Sequence, residues 1–251
     1  DGGEFQSTDL AVLKAKELAE AGANFIDIGG ESTRPGALEI PSKEEICRIE
    51  PVIKELAGIT SALSVDTRKA DVAEVALASG AKLVNDVSGF QFDPKLLLLC
   101  AAQSVPVCVM HSKGLPNTMQ NNPSYGNVVL DVYDFLETQI ELLQSAGVPR
   151  SQIIADPGIG FGKTMRHNLA LLEKISLFHG LGVALMLGMS RKGFIGKVTG
   201  EKEAKNRVIG SVAAAMVGAS QGVQVFRVHD VKETRQAFNI WQAVHFGDFY
   251  G

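Results

Sequence analysis

The stretch Ser64–Gly89, SVDTRKADVAEVALASGAKLVNDVSG, contains the pattern that decides the fold. A short apolar run ends at Asp66, a helical segment covers residues 70–79, and a second apolar run, Leu83–Asp86, follows the turn at Gly80. Two strands joined by a helix predict a parallel pair, because parallel neighbours need a long crossover connection. The sequence therefore indicates an α/β fold built from repeated strand–helix units.

Helical segments and apolar, β-prone runs alternate along the whole chain. The predicted strands are Phe25–Gly29, Leu63–Asp66, Leu83–Asp86, Val107–Met110, Ile153–Asp156, Ala184–Gly188 and Val223–Val228. Helices are predicted near residues 9–21, 43–57, 70–79, 94–103, 127–146, 167–178, 204–220 and 230–245. At the start of the second helix, Ser42 and Glu45 have the spacing of a capping box.

The count of predicted elements favours a barrel. Seven strands and eight helices alternate, and a helix comes first. We therefore predict one domain over residues 1–251, a parallel (βα)8 TIM barrel whose first strand is expected before Asp1. An open doubly wound sheet is the alternative, but the sequence lacks the GxGxxG motif that usually follows the first strand of such a sheet.

The composition narrows the class of partner. The net charge of −4 argues against nucleic acid or an anionic membrane as the main partner. The sequence has no run of roughly 20 apolar residues that could span a bilayer. Cys47, Cys100 and Cys108 form no CxxC pair, and the histidines form no HExxH motif. We expect reduced, buried cysteines, no metal ligands and a cytoplasmic protein.

Polar residues occur at the ends of successive strands. Asp66, Asn85, Asp156 and Arg227 each interrupt or end an apolar run. In a (βα)8 barrel the catalytic residues gather at the carboxyl ends of the strands, where buried polar groups need partners or a ligand. A single Asp could instead cap the next helix, as we expect for Asp93. The repetition from strand to strand predicts a ligand site.

Five motifs carry a resemblance to a known family. They are GGESTRPG (29–36), the stretch Ser64–Gly89, DPGIGFGK (156–163), GMSRKGFIG (188–196) and FRVHDV (226–231). In order, spacing and strand context they resemble the dihydropteroate synthase family of pterin-binding barrels, over essentially the whole chain. The resemblance implies condensation of 6-hydroxymethyl-7,8-dihydropterin diphosphate with p-aminobenzoate to 7,8-dihydropteroate and pyrophosphate in folate biosynthesis, with sulfonamides as inhibitors.

The resemblance also implies roles for the residues at the matching positions. The pterin is expected to contact Asp66, Asn85, Met110, Asp156 and Lys192. The diphosphate is expected to contact Thr33, Arg227, Val228 and His229. The p-aminobenzoate is expected to contact Thr33, Arg34, Pro35, Phe161, Ser190 and Lys192. The residues expected to act in catalysis are Asp66, Lys192, Arg227 and His229.

A metal ion and a second copy of the chain are further implications. The family uses Mg²⁺ on the diphosphate, and the protein contact of that ion lies on a loop that the family carries before the position of Asp1. No metal ligand is therefore predicted within this sequence. The family also forms homodimers, and the helix Val208–Gly218 is apolar nearly all round, so we expect its outer face to be buried. A second copy of the chain is the expected cover, and the C-terminal segment His245–Gly251 is the alternative.

The chemistry of these residues agrees with the implied reaction. The carboxylate of Asp156 offers two acceptors to the row of N–H donors on a pterin edge. Arg227 and His229 occupy alternate positions, so both are expected to face the diphosphate as cationic donors. We expect dissociative loss of pyrophosphate, followed by attack of the aminobenzoate nitrogen. Phe161 is expected to stack on the aminobenzoate ring or, alternatively, to anchor its loop.

Two other functions stay open from the sequence. A pterin-dependent methyltetrahydrofolate methyltransferase shares the barrel and the Asp/Asn/Asp pocket, but it is not expected to carry the Ser190–Lys192 and Arg227–His229 elements. A non-catalytic pterin-binding protein would be marked by the loss of site motifs. The motifs present in this sequence favour the synthase.

Overall fold

The computed structural model describes residues 7–34, 36–114 and 118–247. Its strands are β1 (Phe25–Gly29), β2 (Ala62–Asp66), β3 (Leu83–Asp86), β4 (Val107–Met110), β5 (Ile153–Asp156), β6 (Ala184–Leu187) and β7 (Val225–Phe226). Its α-helices are α1 (Thr8–Glu20), α2 (Ser42–Glu55), α3 (Ala70–Ser79), α4 (Pro94–Gln103), α5 (Val128–Ser145), α6 (Met165–Glu173), α7 (Gly193–Thr199), α8 (Val208–Ser220) and α9 (Val231–Phe246). Short 3₁₀ helices lie at Arg150–Gln152, Ile175–Leu181 and Ala204–Asn206.

The strands form one parallel sheet in sequence order from β1 to β7, as predicted. The last strand, predicted at Val223–Val228, is shorter and contains only Val225–Phe226. The predicted helix near 167–178 is divided between α6 and the 3₁₀ helix Ile175–Leu181. The short helix α7 was not predicted, because its sequence GFIGKVT contains two glycines, which disfavour helix.

The sheet curls so that its two ends face each other. Arg227, directly after β7, donates a hydrogen bond of 2.6 Å to Asp27 in β1. The strand expected before Asp1 lies outside the described residues. Among the helices of the described part of the chain, none is long and apolar enough to cross a bilayer.

Alternate strand residues face the inside of the barrel and form layers. On β3 to β7 the lower layer is apolar and contains Leu83, Cys108, Ile154, Met186 and Val225, and Asp27 and Ser64 continue it on β1 and β2. Two residues further along the same strands, the next layer contains Asn85, Met110, Asp156, Gly188 and Arg227. The apolar layer therefore closes the barrel below, and a mostly polar layer lies above it at the carboxyl ends of the strands.

The opposite face of each strand packs against the helices. Buried residues on this outer side of the sheet include Val65, Val84, Val109, Ala155 and Leu185, and the helices contribute Ile49, Val72, Leu96 and Leu136. Cys100 and Cys108 are buried as predicted, but the prediction was wrong for Cys47, which is exposed.

The predicted capping box at α2 is also wrong. Pro41 is the N-cap of this helix, with no side-chain capping bond, and Ser42 is the first helical residue. Glu45 is instead fully buried. Its carboxylate accepts hydrogen bonds of 2.8 Å from Thr67 and of 2.8 Å from Lys69, both in the loop that follows β2. Glu45 therefore anchors that loop to α2.

The burial of Glu45 predicts that two neighbouring glutamates of α2 differ strongly in how much they contribute to the free energy of unfolding. Removing one partner of a buried ion pair leaves a desolvated charge, so Glu45→Gln is expected to lower the free energy of unfolding by about 3 kcal/mol. Glu44 pairs with Arg48 on the exposed face of the helix, so Glu44→Gln is expected to cost less than about 0.5 kcal/mol. Urea unfolding measures both, and equal losses would contradict the network.

Candidate active site

Four polar side chains meet where the ends of the sheet approach each other. The guanidinium of Arg227 donates to Asp27 over 2.6 Å and to Asp66 over 2.9 Å. The amide of Asn85 donates to the same Asp27 oxygen over 3.1 Å. The site thus joins β1, β2 and β3 to the end of β7, and it contains three residues predicted from the sequence together with Asp27, which was not predicted.

Three acceptor atoms in this group are buried and have no hydrogen-bond partner in the described part of the chain. They are Asp27 Oδ1, Asp66 Oδ1 and Asn85 Oδ1. Native proteins leave few buried polar atoms unpaired, because each costs about 1–3 kcal/mol. All three atoms accept hydrogen bonds, so a ligand with a row of N–H or O–H donors would complete this site.

Burial also changes the charge state of the carboxylates. It raises the pKa of Asp66 to about 7, with the nearby charges of Asp27, Asp86 and Glu45 adding to the rise and Arg227 opposing it. Burial likewise raises the pKa of Asp156, an effect that the charge of Lys192 opposes. Near neutral pH, Asp66 therefore changes between its protonated and ionised forms.

Asp156, Lys192 and Phe161 lie together on the β5 side. Asp156 accepts from the Gly158 amide over 2.7 Å. The ammonium of Lys192 donates to the carbonyl of Ile159 and lies 4.7 Å from the centre of the Phe161 ring. Burial lowers the pKa of Lys192 to about 8, so this ammonium is still mostly protonated at neutral pH. The buried Met110 pairs with Asp156 in the sheet.

Ser190 and His229 are joined across the ends of β6 and β7. The hydroxyl of Ser190 lies 2.9 Å from His229 Nδ1 and accepts from the His229 amide over 3.2 Å. Burial, together with the charges of Arg191 and Arg227, lowers the pKa of His229 to about 4. The lowered pKa favours the neutral imidazole in the free site, and the assignment of Arg227 and His229 as two cationic donors to a diphosphate stays a prediction. Val228 lies between Arg227 and His229 and is partly buried.

The residues expected to contact p-aminobenzoate are only partly brought together. Thr33 and Phe161 line one cavity of about 340 Å³, whose wall also includes Arg68, Gln91 and Phe92. Arg34 is exposed. Pro35 lies outside the described residues.

Glu31 fixes the loop that carries Thr33. Its carboxylate accepts hydrogen bonds from Arg68 over 2.8 Å, from the Ile40 amide over 3.0 Å and from Lys69 over 3.3 Å. Burial would raise the pKa of Glu31, but these hydrogen bonds and the charges of Arg68 and Lys69 outweigh it and lower the pKa. The ionised Glu31 therefore ties the loop after β1 to the loop after β2.

Lys163 fixes the loop that carries Phe161, as Glu31 fixes the loop that carries Thr33. Its buried Nζ lies 2.8 Å from His111 Nδ1, 2.9 Å from the Gly158 carbonyl and 3.0 Å from the Phe161 carbonyl. Burial lowers the pKa of His111 to about 3, so this ring stays neutral. Lys163 thus holds the loop after β5 against the end of β4.

Comparisons with known proteins agree with this geometry. A sequence profile of the family described as "Pterin binding enzyme" matches residues 1–229. Over 245 residues the chain is 42% identical to the dihydropteroate synthase of Synechocystis sp., which covers 97% of this chain and 85% of the relative. The chain belongs to the dihydropteroate synthase family.

Solved structures of dihydropteroate synthases have the same fold. The Xanthomonas albilineans enzyme with 4-aminobenzoic acid superposes with a TM-score of 0.91 and 42% identity, over 98% of this chain and 88% of that one. The Yersinia pestis enzyme in complex with a sulfonamide drug superposes with a TM-score of 0.93 and 41% identity, over 99% of this chain and 89% of that one. The predicted family, enzyme class and barrel fold are confirmed.

Three residues of this dihydropteroate synthase site were missed by the sequence prediction: Asp27, Glu31 and Lys163. Asp27 had a usable signal, because it interrupts the apolar strand FIDIG at a position two residues before Gly29 and so faces the barrel interior. Glu31 and Lys163 lie inside quoted motifs, but their partners come from other loops, and the sequence alone does not show those contacts.

The raised pKa of Asp66 predicts a pH-dependent pterin affinity. A pterin that donates to the Asp66 carboxylate binds the ionised form and lowers this pKa, so affinity is expected to rise with pH and level off above about pH 7. Below that point it is expected to fall by up to about tenfold per pH unit. Calorimetric titration with 6-hydroxymethylpterin measures this dependence. Asp66→Asn is expected to flatten it, and a flat profile in the unaltered protein would contradict the assignment.

Proposed function

We propose that this chain condenses 6-hydroxymethyl-7,8-dihydropterin diphosphate with p-aminobenzoate, giving 7,8-dihydropteroate and pyrophosphate in folate biosynthesis. The observation that carries the proposal is the group of three unpaired acceptors, Asp27 Oδ1, Asp66 Oδ1 and Asn85 Oδ1. A pterin edge supplies the donors that these atoms lack. Membership of the dihydropteroate synthase family supports the same reaction.

The pterin is proposed to lie above the apolar layer of the barrel. Asp66, Asn85 and Asp156 would accept its N–H groups, and the Lys192 ammonium would donate to the ring carbonyl or N5. Met110 would pack beneath the ring, since it is buried and pairs with Asp156. These contacts orient the ring so that its exocyclic CH₂ carbon faces the open end of the barrel.

The diphosphate is proposed to contact Arg227, His229 and the Val228 backbone, with Thr33 approaching from the loop after β1. Arg227 supplies the positive charge, and the neutral His229 ring can donate one N–H. Neutralising the leaving group favours dissociative loss of pyrophosphate, because the electron-rich dihydropterin stabilises the cation that forms. The protein contributes positioning and electrostatic stabilisation rather than a nucleophile.

The p-aminobenzoate is proposed to approach along the cavity lined by Thr33 and Phe161. The Phe161 ring forms part of its wall and is partly exposed, which suits stacking on an aromatic substrate better than anchoring the loop. Lys192 above the Phe161 ring and Ser190 beside His229 would complete the surroundings of the substrate. The dihydropteroate synthases solved with 4-aminobenzoic acid and with a sulfonamide support this class of ligand.

The described residues do not fit a Mg²⁺ ion held by the protein. Among them, no three His, Cys, Asp or Glu side chains are placed to bind one metal ion. Asp27 and Asp66 are both paired with Arg227. We therefore propose that Mg²⁺ accompanies the diphosphate, and no step of the reaction above depends on it. We also propose a cytoplasmic location, in keeping with free cysteines.

Release of pyrophosphate tests the proposed reaction. A coupled assay is expected to show sustained pyrophosphate release only when both the pterin diphosphate and p-aminobenzoate are present, in equal amount to the dihydropteroate formed. The Ser190–His229 contact beside Arg227 favours this substrate over methyl transfer. Release that p-aminobenzoate does not accelerate, or no release with both substrates, would contradict the proposal.

Two variants are expected to separate the pterin contacts from the diphosphate contact. Asp156→Asn replaces an acceptor with a donor that faces a pterin N–H, so affinity for 6-hydroxymethylpterin is expected to fall at least about 100-fold. Arg227→Ala is expected to weaken pyrophosphate and the diphosphate substrate by more than it weakens 6-hydroxymethylpterin, whose own loss reflects the higher pKa of Asp66 without this guanidinium. Calorimetric titration of both folded variants measures these affinities. If each variant lost affinity for 6-hydroxymethylpterin and for pyrophosphate by equal factors, the separation of pterin contacts from the diphosphate contact would be ruled out.

A homodimer is the proposed assembly. Ile209, Ala213 and Val217 follow one another at helical spacing along the outer face of α8, where Ile209 is 86% and Val217 is 47% exposed. On the neighbouring α9, Ile240, Val244 and Phe246 are exposed as well. Such contiguous apolar patches are typical of an interface.

The probe for this interface is Ile209→Glu. A glutamate at Ala215, in the same helix, would not test the interface, because Ala215 is only 2% exposed and faces the inside of the fold. Light scattering at micromolar concentration is expected to give a dimer for the unaltered chain and a monomer for Ile209→Glu. Leu98→Glu, an equally large change at an exposed leucine of α4, is the matched control and should stay dimeric. A monomeric mass for the unaltered chain would contradict the proposed homodimer.

A further inference from the structure

Arg227 is held by two carboxylates in the structure, Asp27 and Asp66, and the two lie at different depths in the barrel. Asp66 lies at the end of β2 in the proposed pterin pocket. Asp27 lies one layer deeper, since it pairs with Ser64 in the sheet, whereas Gly29 pairs with Asp66. Yet Asp27 makes the shorter contact with Arg227, 2.6 Å against 2.9 Å.

Asp27 is the main counter-charge of this arginine. It makes the largest contribution to the raised pKa of Arg227. The oxygen that accepts from Arg227 also accepts from Asn85, so the carboxylate is held in place from two sides. The Asp27 side chain is 18% exposed, but that of Arg227 is 46% exposed, which leaves the guanidinium open to an anion above it.

We propose that Asp27 is a positioning residue that limits how tightly Arg227 holds the diphosphate, so that pyrophosphate can leave after the reaction. The inference rests on the proposed function, because it takes Arg227 as the diphosphate contact. A cation shared with a buried carboxylate binds a further anion less tightly than a free cation does. Catalysis requires this restraint, because an enzyme that binds the pyrophosphate product as tightly as it binds the transition state releases the product slowly.

A purely structural role for Asp27 predicts the opposite change in pyrophosphate affinity when Asp27 is replaced. If Asp27 only joined β1 to the end of β7, its loss would loosen Arg227, and every ligand of the site would bind more weakly. If Asp27 restrains the charge of Arg227, removing its negative charge strengthens anion binding. Tighter binding of pyrophosphate in a variant is a result that damage to the fold does not produce.

The test is Asp27→Asn, whose carbonyl oxygen can still accept from Arg227 and Asn85. Calorimetric titration with inorganic pyrophosphate is expected to give a Kd lower by on the order of tenfold. Steady-state kinetics are expected to show a lower kcat, because release of pyrophosphate becomes slower. The exposed Glu20→Gln removes the same charge far from the site and should leave both measurements unchanged.

Each outcome decides between the claims. An unchanged or higher Kd for pyrophosphate in Asp27→Asn would overturn the role of Asp27 while leaving the proposed function intact. Absence of pyrophosphate binding to the unaltered chain at millimolar concentration would instead overturn the assignment of Arg227, and this inference with it. If Asp27→Asn does not fold, Asp27→Ser takes its place, and failure of both variants to fold would overturn the proposal by showing that Asp27 serves the fold.

Discussion

The contact of Arg227 with Asp27 and Asp66 is the interaction on which the site depends. It joins the end of the last strand to the first two strands over 2.6 and 2.9 Å and brings both ends of the parallel sheet to one pocket. The contact is possible because residues two apart on a strand face the same side, so that Asp27, Asp66 and Arg227 all face the inside of the barrel. Arg227 is therefore both a closing contact of the barrel and a proposed diphosphate ligand.

Burial gives the pocket its chemical character. It raises the pKa of Asp66 to about 7, lowers that of Lys192 to about 8 and lowers that of His229 to about 4. Near neutral pH the site thus combines carboxylates that need donors, one retained ammonium and a neutral imidazole. A pterin with a diphosphate would satisfy the first two and would bring its own negative charge to Arg227. The buried ion pairs around Glu31 and Glu45 hold the surrounding loops in place.

The sequence predicted the strands, the barrel and most of the residues in the pocket, because strand periodicity fixes which residues reach the carboxyl ends. Asp66, Asn85, Asp156 and Arg227 were found in this way. The failures concern contacts between distant segments. Glu45 has the spacing of a capping residue but is buried against Lys69, and Lys163, which was not predicted, lies 2.8 Å from His111 on another loop. Neither burial nor a partner from another loop can be read from local spacing.

The central claim is that the pocket presents acceptors at Asp27, Asp66 and Asn85 to the donors of a pterin. The most direct measurement compares the affinities of 6-hydroxymethylpterin and 6-hydroxymethyllumazine, in which a carbonyl replaces the 2-amino group of the ring. We expect the lumazine to bind at least about 100-fold more weakly, because a carbonyl acceptor then faces buried acceptors. Equal affinity of the two compounds in calorimetric titration would contradict it.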